Sequence, residues 1–322
     1  MSRLGAPLFF LSIKSAAMFT QEYPTRPVRM IEPFGAGGGV DVIARILSPR
    51  LSELWGQRVT VENHPCSGST EAPALVAKSP ADGYTLLVNT SAQAYSSAFV
   101  KNLPYDPLKD FIPVAPLTSQ PYVLVAGKSS GITTVRELIA KANAKPNELT
   151  FGSTGVGTGS YVGFEKFNLE AGIKVVHVPP EPGDAITNVI ACTVAGRCAY
   201  MIAPIPLALA DIRAGRLYAL GVTTNKRSSL LPEVPTIAEA GVPGFDYPIW
   251  YGIWVRAGTP AAVVEKLGKD IARTLAVPDL RVQLAKHGAD PMSMTQPEFA
   301  HFVLRESESA ARIVKAVGIK TQ

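Results

Sequence analysis

Two stretches of this chain repeat one construction: a short apolar strand that breaks into glycines and restarts as a helix. The first is "MIEPFGAGGGVDVIARILSPRL", from Met30 to Leu51, and the second is "LTFGSTGVGTGSYVGFEKFNLEAG", from Leu149 to Gly172. A strand that turns directly into a helix belongs to alternating α/β layers with mostly parallel sheets. The first-turn N–H groups of such a helix have no carbonyl behind them, and with the helix dipole they favour an anion. Glycines let that anion approach the backbone and supply the positive φ angles the turn needs. Two such units in a chain of 322 residues fit two domains of similar build, at roughly 150 residues per domain.

The identity of the anion follows from what the glycines lack. A dinucleotide fold needs G-x-G-x-x-G for a tight turn, pyrophosphate approach and helix–strand packing. Counted from Gly35 the sixth position is Val40, and counted from Gly37 it is Val42, so the third glycine is missing in both registers. A P-loop needs a lysine after the glycines, and none follows. What remains is a carboxylate held by backbone N–H groups, with the Thr158 and Ser160 hydroxyls added in the second loop. If the two domains face each other, the loops grip a small acid from both sides. No G-x-S-x-G, Cys–His arrangement or pair of carboxylates in a glycine-rich loop emerges, which favours binding over catalysis.

The alternation continues along the chain. Strands are expected at "VRMIEPF", "RVTVEN", "YTLLVNT", "YVLVAGK", "KVVHVP", "RLYALGVTT" and "IWYGIWVRAG". Helices are expected at "DVIARILSPRLSELWG", with apolar positions Val42, Ile43, Ile46, Leu47, Leu51 and Leu54, and at "TEAPALVAKSP", "TTVRELIAKANAKP" and "DAITNVIACTVAG". Two more amphipathic helices fall at 261–275 and 297–317. Pro49 is expected to kink the first helix, Gly56 to end it, and Thr134 with Glu137 to form a capping box. "NLPYDPLKDFIPVAPLTSQPY" reads as a proline-rich connector across the first half, and "NKRSSLLPEVPTIAEAGVPGF" as a loop.

Composition excludes several classes. Hydrophobic residues make up 47% and charged residues 18%, a globular balance, and the net charge of +5 is spread too thinly for a nucleic-acid footprint. Cys66, Cys192 and Cys198 lack metal spacing. Cys192 and Cys198 can pair if the chain turns between them, or stand as small buried apolar residues, and Cys66 is unpaired either way. His64, His177, His287 and His301 are scattered, so neither a metal nor a cofactor is expected. Residues 1–22 read as a degraded signal peptide: Arg3 begins it, Leu4–Ile13 forms the apolar stretch, Lys14 interrupts it, and Ser15-Ala16-Ala17 offers a cleavage site. That leader implies export to the periplasm.

"YPTRPVRMIEPFGAGGGVDVIARILSPRLSELWGQRVTVENHP" resembles the opening of the extracytoplasmic solute-binding receptors of tripartite tricarboxylate transporters. Further matches are "DGYTLLV", "LPYDPLKDFIPV", "VVHVP", "IRAGRLYALGVTTNKRSSLLPEVPTIAEAGVPGF" and "WYGIWVRAGTP". The resemblance spans Tyr23 to about Ala316. It implies an α/β two-domain clamshell of the periplasmic-binding-protein type, without enzymatic activity. Domain 1 would comprise 23–120 plus 225–322 and domain 2 would comprise 121–224. It further implies a monomer that binds a di- or tricarboxylate, an aromatic acid or an amino acid and delivers it to a membrane permease, or serves a membrane sensor. Carried over residue by residue, the ligand site comprises Phe34, Gly35, Ala36, Gly37, Gly38 and Asp41, then Thr90 and Ser91. From the second loop come Ser153, Thr154, Gly155, Gly157 and Thr158.

Departures from the family pattern gather in the second domain. Pro180-Glu181-Pro182-Gly183 replaces Tyr-Lys-Gly, Ala199 and Ala203-Pro204 replace an aspartate and a polar pair, and Tyr161 replaces a histidine. The competing reading is an α/β enzyme that uses the glycine turn to hold a nucleotide or an acyl anion.

Overall fold

A computed structural model describes residues 23–65, 70–156, 158–181 and 185–318. The leader, Cys66, Gly157, Pro182 and Gly183 lie outside the described residues. The sequence's alternation is realised as β1 (Val28–Glu32), α1 (Gly39–Trp55), β2 (Val59–Asn63), α2 (Glu71–Ala77) and β3 (Thr85–Thr90). Then come α3 (Ala92–Phe99), β4 (Phe111–Gly127), α4 (Val135–Ala144), β5 (Thr150–Gly152), α5 (Gly159–Ala171), β6 (Val176–Val178) and α6 (Ala185–Val194). The last third holds β7 (Tyr200–Pro204), α7 (Ile205–Arg213), β8 (Leu217–Val222), α8 (Ile237–Ala240) and β9 (Pro248–Arg256). It closes with α9 (Ala261–Leu275), α10 (Pro278–Ala285), β10 (Asp290–Pro291) and α11 (Gln296–Val317).

The proline-rich connector is not a connector. Its second half is β4, a 17-residue strand that runs through Pro113, Pro116 and Pro121. Proline cannot donate to a ladder and is tolerated at edges and bulges. The register with β9 shifts between Pro113 and Ala115 and again between Pro116 and Ser119. Pro113 and Pro116 therefore sit where the ladder is already irregular, Pro121 lies where the strand leaves β9 for the second sheet, and "YVLVAGK" is the continuation of the same strand.

β4 organises the molecule because it serves two sheets. Over Phe111–Pro121 it pairs antiparallel with β9, which carries β3, β1 and β2 in turn, with β1 parallel to both of its neighbours. Beyond that point Tyr122–Ala126 pairs with β7, which carries the parallel strands β5 and β6, and β8 flanks the other side. The chain crosses between sheets at Pro121–Tyr122 and again at Tyr247–Pro248, and Pro121 and Pro248 face each other in register. The junction is tied by Thr223, whose N–H donates to the Tyr122 carbonyl at 3.0 Å and whose carbonyl accepts the Tyr247 N–H at 2.7 Å. α8 packs on β8 and α4, beside the second sheet.

Helix chemistry follows local rules. α1 ends at Gly56 in the left-handed region (φ 61°), as a C′ glycine should, and runs on through Pro49. Its buried stripe is Val40, Ile43, Ala44, Leu47, Leu51 and Trp55, so Val42 and Leu54 turn outward. Thr134 caps α4 by accepting the Glu137 N–H, while the Glu137 carboxylate accepts the Thr133 N–H and hydroxyl, each at 2.8 Å. α8 and α11 each carry a complete capping box, Thr236–Glu239 and Thr295–Glu298. Cys192 and Cys198 form a disulfide that closes the turn between α6 and β7.

Candidate functional site

The first glycine loop is braced from below. Asp41, 3% exposed, accepts the Gly37 N–H at 2.9 Å, the Arg45 Nε–H at 2.8 Å and an Asn63 amide proton at 2.9 Å. Burial alone would raise the Asp41 carboxyl, but these three bonds outweigh it and hold it below the usual carboxylate range. Glu32, fully buried at the end of β1, accepts the Phe34 N–H at 2.8 Å and the Asn63 amide. Its burial dominates those bonds and pushes the carboxyl up to about 7. The loop is thereby held by three polar side chains, with Gly37 at φ 82° and Gly35, Ala36 and Gly37 exposed. Asp41 acts as a brace on the Gly37 N–H. With the Phe34, Gly37 and Gly38 N–H groups already bonded, an anion is left the exposed loop at Gly35 and Ala36 and the first turn of α1 from Gly39.

The second loop is braced by hydroxyls. Thr158 caps α5 and donates to the Gly155 carbonyl at 2.7 Å, and its oxygen accepts the Thr154 hydroxyl at 3.0 Å. Ser160 Oγ accepts the Thr154 N–H at 3.1 Å. Ser153 Oγ accepts the Gly155 N–H at 3.2 Å and pairs with His177 Nε2 at 2.8 Å. The His177 ring lies tilted against Phe151 and edge-on to Tyr161, each at 5.0 Å between centroids, and burial lowers its pKa to about 4, which keeps it neutral.

Both helix starts land on one face of β4. A side chain at Gly39 would place its Cβ 2.5 Å from Tyr251 Oη and 3.5 Å from Gln120 Nε2. One at Gly159 would lie 2.7 Å from Tyr122 Oη and 3.2 Å from Ser91 Oγ. Gln120 and Tyr122 are two residues apart and share a strand face, so the two N-termini converge on neighbouring positions beside the crossing. Tyr251 pairs in register with Thr90, which puts Thr90 on that floor as well. Tyr247 stacks on Tyr122 at 6.2 Å and donates its hydroxyl to the Gly159 carbonyl at 2.9 Å.

Of the expected residues, Phe34–Gly38 and Asp41 make or brace the first loop, and Ser153–Gly155 and Thr158 the second. Thr90 and Ser91 lie between them at the end of β3. Gln120, Tyr122, Tyr251 and His177 belong to the same constellation. His177 and Tyr251 lie in the matched stretches "VVHVP" and "WYGIWVRAGTP" but were not singled out as site residues, because only strand register brings them to the site. The departures also find places. Tyr161 packs edge-on against Phe99 at 5.7 Å, Glu181 pairs with Arg197, and Pro204 stands at the N-cap of α7 without a side-chain cap. A shallow groove on the outer face of α1, between Arg45 and His287, is a poorer candidate, since its Arg45 and Arg50 are already paired with Asp41 and Glu53. Among the described residues no group of His, Cys, Asp or Glu could hold a metal ion.

Two sheets joined at one double crossing, each presenting a helix N-terminus to the junction, define the solute-binding fold of periplasmic binding proteins. Within that class the chain belongs to a single family, the "Tripartite tricarboxylate transporter family receptor", whose profile matches residues 43–319. A Pseudomonas sp. (strain P51) relative, the UPF0065 protein in the tcbD-tcbE intergenic region, is 35% identical, with 96% of this chain and 92% of that protein covered. R. palustris Rpa4515 with adipate superimposes with a TM-score of 0.84 at 32% identity, covering 92% of this chain and 99% of its own. MatC from Rhodopseudomonas palustris with bound malate gives 0.80 at 30% identity, covering 91% and 100%. The family is one of transporter receptors. Among the described residues no helix is long and apolar enough to cross a membrane.

Proposed function

We propose that this chain is a periplasmic receptor that captures a small carboxylate between two lobes and delivers it to the permease of a tripartite tricarboxylate transporter. The two crossings support lobes of 23–121 plus 248–318 and 122–247. The stretch 225–247, expected in the first lobe, thus goes with the second, where α8 packs on β8 and α4. The protein works as a monomer. The observation that carries this reading is the convergence of Gly39 and Gly159, two helix starts with glycine in front, on adjacent positions of one strand face. Each N-terminus supplies N–H donors and the positive end of a dipole, so a carboxylate is held without a cationic side chain. Phe34, Gly35, Ala36, Gly38, Thr90, Ser91, Ser153, Thr154, Gly155, Gly157 and Thr158 form the binding surface, with Gly37 held by Asp41. The adipate and malate held by two neighbours support a carboxylate ligand. The Cys192–Cys198 disulfide supports an oxidising compartment.

The test is a melting screen of aliphatic di- and tricarboxylates, aromatic acids and amino acids on protein unfolded, dialysed and refolded to strip bound ligand. An acid present at about a hundred times its Kd adds roughly 2.7 kcal/mol to the folded state. A cognate acid should therefore raise the melting temperature by several degrees, while nucleotides should not. If no carboxylate in the panel shifts the melt, the reading is wrong.

A further inference from the structure

The floor of the site contains a polar pair whose hydrogen bonding is incomplete. Gln120 is 5% exposed and donates its amide to Tyr251 Oη, while its own carbonyl oxygen meets no partner. Tyr251, 1% exposed, accepts that bond and retains its own hydroxyl proton. A buried acceptor without a donor is costly, and such atoms in a native fold call for an explanation. Here the pair lies directly under Gly39, where a Cβ would already touch both side chains. The unsatisfied oxygen and the spare proton thus belong to one hydrogen-bonded pair of side chains that lies below the N-terminus of α1. Thr90 and Tyr122 flank them on the same floor.

The complement of one donor next to one acceptor is a hydroxyl group. A carboxylate oxygen can accept from Tyr251 but has no proton for Gln120. A methylene answers neither, and leaves both groups dry once the site closes. We infer that Gln120, oriented by Tyr251, reads a hydroxyl on the ligand next to the carboxylate held by α1, so that the receptor selects hydroxy acids over their unsubstituted counterparts. This rests on the carboxylate-receptor reading of the same site and narrows its ligand class. The selection is negative as much as positive: the unsubstituted acid is disfavoured because it strands a buried polar pair.

The experiment measures affinity by titration calorimetry for matched acids: malate and tartrate against succinate, and lactate against propionate. The protein is the stripped wild type and two variants, Gln120→Leu and Tyr251→Phe. Wild type should bind the hydroxy member of at least one pair about tenfold or more tightly than its partner. Gln120→Leu should bring that ratio close to one by weakening the hydroxy acid alone. Tyr251→Phe, which is nearly isosteric and keeps the fold, should reduce it to an intermediate value. Equal affinities within every pair that binds the wild type overturn the inference and leave the receptor reading intact. So does an undiminished ratio in either folded variant. A wild type that binds no acid overturns both.

Discussion

At Gly39 a single hydrogen in place of a methyl group decides whether the site exists. Its Cβ position is 2.5 Å from Tyr251 Oη, closer than any real contact, and Tyr251 is fixed within β9 and bonded to Gln120. Gly39→Ala should cost about 1–3 kcal/mol of stability through overpacking and weaken the cognate acid by an order of magnitude or more. Urea melts and titration calorimetry read the two effects, and an alanine variant with wild-type affinity would exclude α1's N-terminus from the binding surface.

His177 and Glu32 carry opposite pH signatures. Burial lowers His177 from 6.5 to about 4, so the stability from its neutral ring is present above about 6.5 and lost as the pH falls through 4. With ~1.4 kcal/mol per unit, less the share lost to solvent screening, that loss reaches about 2–3 kcal/mol. Glu32, raised from 4.5 to about 7, contributes stability that is present below 4.5 and lost as the pH rises through 7. In the wild type the two slopes oppose each other. His177→Gln keeps a partner for Ser153 and removes only the acid-side loss, so its melting temperature should rise from pH 7.5 to pH 5 relative to wild type. Parallel curves for the two proteins would refute this assignment.

At the scale of elements, α11 acts as a bolt. Glu306 accepts the Tyr95 hydroxyl at 2.6 Å and the Trp250 indole N–H at 3.0 Å, joining α11 to α3 and to β9. α11 also packs against α5, so it touches elements of both sheets. Glu306→Leu would leave two donors without an acceptor, at about 1–3 kcal/mol each. Denaturant unfolding should show a loss of about 2–4 kcal/mol, and a loss below ~1 kcal/mol would mean that water replaces the carboxylate.

Elements whose signals are local were legible in the sequence. The strand–glycine–helix units, the Gly56 stop and the Thr134 cap each depend on residues within one turn of one another, and each has its expected place. β4 was not legible, because Pro113, Pro116 and Pro121 are loop signals until the register shifts beside the first two and the sheet crossing at the third are known. The floor of the site was hidden for a related reason. Gln120 and Tyr251 are 131 residues apart and meet only through the pairing of β4 with β9. A motif can announce a backbone cradle, whereas the side chains beneath it are chosen by topology.

For the whole molecule, the Cys192–Cys198 disulfide ties a local turn to the second loop. Cys198 Sγ lies 3.0 Å from where a Cβ on Gly152 would stand, and Gly152 leads directly into Ser153. Closing so short a loop stabilises by about 2 kcal/mol in the chain-entropy account. Cys192→Ala/Cys198→Ala should therefore melt several degrees lower and bind the cognate acid more weakly, since the Gly152 wall loosens. Wild type in excess dithiothreitol should approach the same melting temperature. A double variant that matches oxidised wild type in both measurements would make the bridge incidental.

The facing pair Pro121 and Pro248 has a mechanical consequence. At every other rung where β4 meets β9, backbone N–H groups are available to resist a change of angle between the strands. At this rung neither residue has a proton to give. The place where both crossings leave one sheet for the other is therefore the place where the ladder is weakest. Fixed φ at both prolines keeps that compliance from becoming slack, because the strands can rotate about the rung but cannot crumple. The sequence feature that disguised β4 as a loop leaves the rung at the sheet crossing without a backbone donor on either strand.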